Sequence, residues 1–250
     1  MLNLLKKIPA HFRRVRNASR LGIRFHRRAS FQIPSRIQLN SKFLDIYSNR
    51  DHGARIDFLM CLIEDGYGLE DLKLKPSNIL DIGANQGFFA LAARGFFPNA
   101  TLHCYEPNLR ILPVLEKNAD VSRSVIFREA VGGMEGTVFL EESGDSNQSR
   151  TNHSAHGIPV PQVSLQTAVE RLGGRVDLAK IDCEGAEWEM LENPEPWQSI
   201  RELRMEYHLL DQYDYAEIVH RLKTLGFRIF KHFPEGEWGT IWATSSDHFP

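Results

Sequence analysis

Cysteine is scarce in this 250-residue chain, and Cys61, Cys104 and Cys183 form no CxxC pair. An odd number without paired spacing excludes a disulfide framework and predicts surroundings in which thiols stay reduced. No run of about 18 apolar residues occurs, so no helix is expected to span a membrane. The N-terminus also lacks the apolar stretch of a secretory signal, and a cytoplasmic location is expected. Acidic residues are missing altogether before Asp45, where eleven basic residues lie between Lys6 and Lys42. The remainder holds 19 of the 30 basic residues and all 32 acidic ones, so the overall net charge of −2 conceals a strong asymmetry. Internal repeats and low-complexity segments are absent, as is the G-x-G-x-x-G spacing of a dinucleotide fingerprint.

This split predicts a basic N-terminal arm over residues 1–44 and an acidic domain over residues 45–250. Leu2, Leu4, Leu5 and Ile8 beside Lys6 and Lys7 suit peripheral contact with an anionic membrane surface. An arm docked on its own acidic body is the competing expectation. One short helix is predicted before Pro9 and another pattern around Arg13–His26. Phe58, Leu59, Leu62 and Ile63 recur at helical spacing and predict a helix covering a sheet edge or a pocket mouth.

From Asn78 onward, short apolar runs alternate with helical patterns. Strands are expected over Asn78–Ile82, Leu102–Tyr105, Val125–Arg128, Val138–Leu140, Val176–Ile181 and Arg201–Tyr207. Helices are expected from Gly87, near Ile111–Asn118, from the N-cap Ser164 to Leu172, and over Tyr215–Leu225 before Gly226. Phe227–Lys231 and Thr240–Ala243 flank Pro234-Glu235-Gly236 as an antiparallel hairpin, and the polar segment Glu142–His156 reads as a mobile loop. The fold class is therefore α/β: a mostly parallel sheet built from βαβ units that closes with a C-terminal antiparallel hairpin.

The strand Asn78–Ile82 runs directly into Gly83-Ala84-Asn85-Gln86-Gly87 and then a helix, which puts a ligand at the strand's carboxyl end. Gly83 and Gly87 let backbone approach that ligand closely. Asp81 adds a carboxylate where a phosphate would be repelled. Glu106 closes the next strand in Cys104-Tyr105-Glu106-Pro107-Asn108 and can accept both hydroxyls of a ribose. Glu129-Ala130-Val131, after the third strand, is placed for the edge of an adenine. Together these residues describe a site for adenosine without phosphate.

At this point the sequence resembles the class I S-adenosylmethionine-dependent methyltransferases, and specifically the FkbM type. Lys180-Ile181-Asp182-Cys183-Glu184-Gly185-Ala186-Glu187 is similar to that family's K-I-D-x-E-G-x-E signature, and the likeness covers roughly Asn78–His208. The resemblance implies a seven-stranded, mostly parallel, Rossmann-like sheet with helices on both faces and a C-terminal antiparallel hairpin, S-adenosyl-L-methionine as cofactor, and O-methylation of a saccharide, lipid-linked glycan or natural product. The expected cofactor-binding residues are Asp81, Gly83, Ala84, Asn85, Gly87, Glu106, Pro107, Ala130 and Asp182.

The signature also has a reading of its own. Lys180, Asp182 and Glu184 alternate on one face of an extended segment, and Glu206 and His208 alternate on the neighbouring strand. His208 is the expected base, with Glu206, Asp182 and Lys180 as the other catalytic candidates. Glu184 and Glu187 have a competing role as favourable charges at a helix start, and His208 a competing structural one. No metal is expected; the alternative is a divalent ion held by Asp182, Glu184, Glu206 and His208. A non-catalytic binding protein using its basic arm on membrane or RNA is the alternative function. A nicotinamide oxidoreductase is disfavoured by the missing middle glycine. A nucleic-acid substrate is disfavoured because no Asn/Asp-Pro-Pro-aromatic or Pro-Cys motif is present.

Overall fold

A computed structural model describes residues 2–23, 31–39, 41–141, 143, 149–154, 156–210 and 213–246, with residues 2–10 as backbone alone. The N-terminal segment forms α1 (Leu2–Arg20) and a hairpin of β1 (Arg36–Leu39) and β2 (Lys42–Asp45). Next comes α2 (His52–Phe58), which continues through a π-helical turn at Leu59–Ile63. β3 (Asn78–Ile82), α3 (Phe88–Phe96), β4 (Thr101–Tyr105), α4 (Leu112–Ser122) and β5 (Val125–Phe127) then alternate. β6 (Ala130–Gly132), β7 (Gly136–Glu141), β8 (Arg150–Asn152) and β9 (Ile158–Ser164) build a small second sheet in the order β6-β9-β7-β8. The chain continues with α5 (Leu165–Arg171), β10 (Val176–Ile181), α6 (Glu187–Met190) and β11 (Ile200–His208). It closes with α7 (Tyr215–Thr224), β12 (Phe227–Pro234) and β13 (Trp238–Ser245).

The main sheet has seven strands in the order β12-β13-β11-β10-β3-β4-β5. Its pairs are parallel except at β13, which runs antiparallel to both β11 and β12. β3 and β10 are almost wholly buried because both faces are covered, which is why each reads as a nearly continuous apolar run. Ile79 packs into the layer with α3 and α2, whereas Leu80 and Ile82 face the layer containing Trp188, Trp197 and Ile218. Ser164 caps α5 by accepting the Thr167 N–H at 3.1 Å, as its sequence position predicts. From β3 the chain steps outward to β4 and β5, then returns across to β10 and β11 on the other side. That reversal opens a crevice at the carboxyl ends of β3 and β10, where α/β sheets hold their ligands.

Two expectations need correction. The second sheet is not predicted as such, because Pro159 and Pro161 interrupt the ladder pattern of β9; both pair with β7, opposite Phe139 and Thr137. Part of the segment read as a polar loop is β8, paired with β7; residues 142, 144–148 and 155 lie outside the described residues.

The basic segment is docked rather than free over its described residues. Ala18, Leu21, Phe31, Ile33, Ile37 and Leu39 share one core with Phe58 and Phe88. Arg14 pairs with Glu64 at 3.1 Å, Arg13 reaches Asp71 at 3.8 Å, and Arg16 and Arg20 both meet Glu70. Among the described residues, these four arginines direct their charge at the acidic body. α1 runs through Pro9 instead of breaking there, and residues 24–30, which include the end of the second predicted pattern, lie outside the described residues. Among the described residues no helix is long and apolar enough to cross a membrane.

Candidate active site

A cleft of about 520 Å³ opens at the crevice between β3 and β10, walled by the ends of β4 and β11, the start of β6, β8, and α2 with its π turn. Its volume suits a ligand of a few hundred daltons.

The floor is the turn after β3. Gly83 (φ +74°) and Asn85 (φ +45°) are left-handed, and the Gly83 and Ala84 N–H groups donate to the Tyr105 carbonyl at 3.1 and 3.0 Å. The turn is therefore stitched to the end of β4, where Glu106 begins. Glu106 is almost fully buried: one carboxylate oxygen accepts the Asn85 N–H at 2.8 Å and the other the Asn108 N–H at 2.9 Å. Burial outweighs those two hydrogen bonds and pushes its carboxyl up to about 7. Each oxygen keeps lone-pair capacity for a further donor, which suits a vicinal diol.

Of the residues expected to bind the cofactor, Gly83, Ala84, Asn85, Glu106, Pro107, Ala130 and Asp182 line the cleft. Asp81 and Gly87 do not. Asp81 is completely buried beneath the turn, 3.3 Å from Lys180 Nζ, with the Cys104 thiol on its other oxygen. Register explains this, because β3–β10 pairing sets Asp81 directly beside Lys180. Gly87 is the N-cap of α3, and its Cα packs toward Leu115 and Asn118.

Lys180 is also buried and joins the strand ends: Nζ donates to the Ile82 carbonyl at 3.2 Å and to that of Gly83, and lies 3.5 Å from Asp182. Burial alone would lower its pKa, but Asp182 and Asp81 overcome that and raise it, so the ammonium is permanently charged. Its contacts tie the turn to the end of β10, and the raised pKa disfavours it as a base.

Glu206 and His208 leave β11 on the side of Asp182, and Tyr67 donates its hydroxyl to Asp182 at 3.3 Å. Burial, then Asp182 and Glu184, push Glu206 up to about 10, so at neutral pH it is a neutral acid. His208 Nε2 stands 3.3 Å from Glu184 and 3.6 Å from Glu206, while Nδ1 lies 3.2 Å from Glu187. Burial would lower the imidazole, yet the Glu187 hydrogen bond and the charges of Glu187, Glu184 and Asp182 raise it above 6.5. Asp182, Glu184, Glu206 and His208 do converge, with His208 Nε2 set between Glu184 and Glu206. Among the described residues no group of three or more such side chains is arranged to hold a metal ion.

Asp57, Tyr67, Arg150 and Trp238 line the same cleft without having been picked out from the sequence. Asp57 matters most: Asn85 Nδ2 donates to it at 2.5 Å, and burial followed by the nearby Asp182 raises it to about 7. The available signal was its position immediately before Phe58, on a helix read as covering a pocket mouth.

A Rossmann-like sheet with a reversed terminal hairpin, and an acid-lined cleft at its switch point, define the class I methyltransferase architecture. The family description "Methyltransferase FkbM domain" matches residues 81–229, and the chain belongs to this family. "Methyltransferase 1" of Beauveria bassiana is 25% identical over 235 residues, covering 80% of this chain and 92% of that protein. "Methyltransferase sdnD" of Sordaria araneosa is 26% identical over 178 residues, covering 54% and 69%. Among solved structures, the fibrillarin pre-rRNA processing protein of Methanococcus jannaschii superposes with a TM-score of 0.46 at 14% identity, covering 69% of this chain and 67% of that one.

Proposed function

We propose that this methyltransferase uses S-adenosyl-L-methionine and methylates a hydroxyl of a saccharide, lipid-linked glycan or related natural product. The observation that carries this reading is Glu106: a buried carboxyl group whose two oxygens are fixed by the Asn85 and Asn108 N–H groups, beside a turn with no phosphate cradle. Such an acceptor fits the ribose of an adenosine group. Glu106 would take the ribose hydroxyls, the Gly83–Asn85 backbone would lie along the ligand, and Ala130 with Glu129 would border the base. Asp182 and Asp57, on the opposite side of Asn85, would face the ammonium of the amino-acid portion. When bound, the cofactor supplies an electrophilic methyl group on a sulfonium.

The chain's own contribution is positioning and proton removal, since an oriented hydroxyl needs little further chemical assistance. His208 is the base in this reading. Its ring lines the cleft, whereas burial and the neighbouring acids favour the neutral form of Glu206, and Asp182 and Asp81 favour the charged form of Lys180. A cleft carrying several carboxylates favours a neutral polyol acceptor over a phosphorylated one. The test is incubation with methyl-labelled cofactor and a panel of hydroxylated acceptors. A labelled ether stable to mild base supports the reading, and label found only in base-labile esters or on amines contradicts it.

A further inference from the structure

The loop between β10 and α6 is wound left-handed at Glu184 (φ +55°) and Gly185 (φ +115°), which turns the first residue of α6 back beneath the end of β11. That residue, Glu187, has no exposed surface. One of its oxygens accepts the His208 backbone N–H at 2.6 Å and faces the ring Nδ1 at 3.2 Å; the other accepts the Gly185 N–H at 2.8 Å. The adjacent Trp188 donates its indole N–H to the His208 carbonyl at 2.6 Å. Two consecutive residues therefore hold both backbone polar groups of His208 and one of its ring nitrogens. A charge that served only the dipole of α6 would not explain this, because α6 is four residues long and Glu187 makes two of its contacts to another strand.

We propose that Glu187 is a positioning residue for methyl transfer, fixing the His208 ring with its proton on Nδ1 and presenting an unprotonated Nε2 to the acceptor hydroxyl. This rests on the assignment of His208 as the base. A carboxylate only accepts, so a neutral imidazole beside it must carry its hydrogen on the nearer nitrogen. The hydroxyl proton then moves to Nε2 while the O–H electron pair stays on oxygen, and the resulting imidazolium keeps its second N–H directed at Glu187. Among the described residues four acids face the ring: Glu187 at Nδ1, Glu184 and Glu206 at Nε2, and Asp182 beyond them. Glu184 and Glu206 stand 3.3 and 3.6 Å from Nε2 without a hydrogen bond to it, whereas Glu187 is hydrogen-bonded at Nδ1 through the oxygen that also accepts the His208 backbone N–H, so Glu187 is the one that selects the tautomer.

The test requires no acceptor. In the full chain labelled with ¹⁵N-histidine, the His208 ring nitrogens are assigned by loss of their signals in His208→Gln and followed by NMR across pH. The expected result is a midpoint above 6.5 and, on the alkaline side, the Nδ1–H form. Glu187→Gln is expected to lower the midpoint by about one pH unit by removing the charge. If that variant fails to fold, the wild-type spectrum still decides: an Nε2–H tautomer overturns the proposal. So does an unchanged midpoint in a folded Glu187→Gln protein. If His208→Gln retains methyl transfer, the underlying base assignment fails, whatever the tautomer.

Discussion

The backbone of Asp182 closes over Gly83: a Cβ built on that glycine would stand 1.7 Å from the Asp182 carbonyl oxygen. The same two segments are joined by the Asp182 N–H donating to the Ile82 carbonyl at 3.1 Å. Because the overlap is with backbone, it can be relieved only by parting β3 from β10. Gly83 also sits at φ +74°, where an L side chain is strained. Gly83→Ala is therefore expected to cost more than about 3 kcal/mol and to abolish S-adenosylhomocysteine binding. Denaturant unfolding and calorimetry check both, and a near-normal Ala variant would contradict the geometry.

Glu106 makes the ligand-free protein sensitive to pH. Its folded pKa, about 7, lies above the ordinary 4.5, so folding favours the neutral form. That stabilisation is complete below about 4.5 and is lost as pH rises through 7. Asp57, raised from 3.8 to about 7, acts in the same direction. The apoprotein should therefore lose stability between roughly pH 4.5 and 7. Glu206, raised to about 10, acts in the same direction, so Glu106→Gln should remove on the order of a third of that slope, each of the three acids contributing about 3–4 kcal/mol. Urea melts at several pH values measure it.

Glu206 and His208 separate by charge. Glu206 is a neutral acid at pH 7, so Glu206→Gln mimics its resting state and should leave the methyl-transfer rate within about threefold. His208→Ala should reduce kcat by about 100-fold or more. Because the His208 pKa is raised, the midpoint of the acid limb of kcat/KM should lie above pH 6.5. A limb below 6.5 would assign the proton to another group.

The N-terminal segment should prove structural. Removing residues 1–44 uncovers the partners of Ala18, Leu21, Phe31, Ile33, Ile37 and Leu39. Each larger apolar side chain contributes about 1.5–3 kcal/mol. The truncated protein is expected to unfold or to melt more than about 10 °C lower. An unchanged melting temperature would restore the picture of a free arm.

The strand and turn at Asn78–Gly87, the acid at Glu106 and the Lys180–Glu187 signature are legible because each is a local pattern with a single geometric consequence. Asp81 and Asp57 show where that legibility stops. A strand-end acid that meets a ligand and one that meets a lysine on the next strand look alike until the β3–β10 register places Asp81 beside Lys180. Asp57 enters only because α2 packs across the sheet, a relationship spanning 28 residues to Asn85 that no local pattern encodes. The docking of the basic segment is hidden for the same reason, since its arginines find partners at Glu64, Glu70 and Asp71 only in the folded chain.

The central claim is that the Glu106 cleft binds the adenosine half of S-adenosylmethionine, and calorimetric titration with S-adenosylhomocysteine, using NAD as control, tests it most directly. The account predicts micromolar binding of S-adenosylhomocysteine alone, lost in Glu106→Ala. Failure of the folded wild-type protein to bind it, or equal binding by Glu106→Ala, would contradict the account.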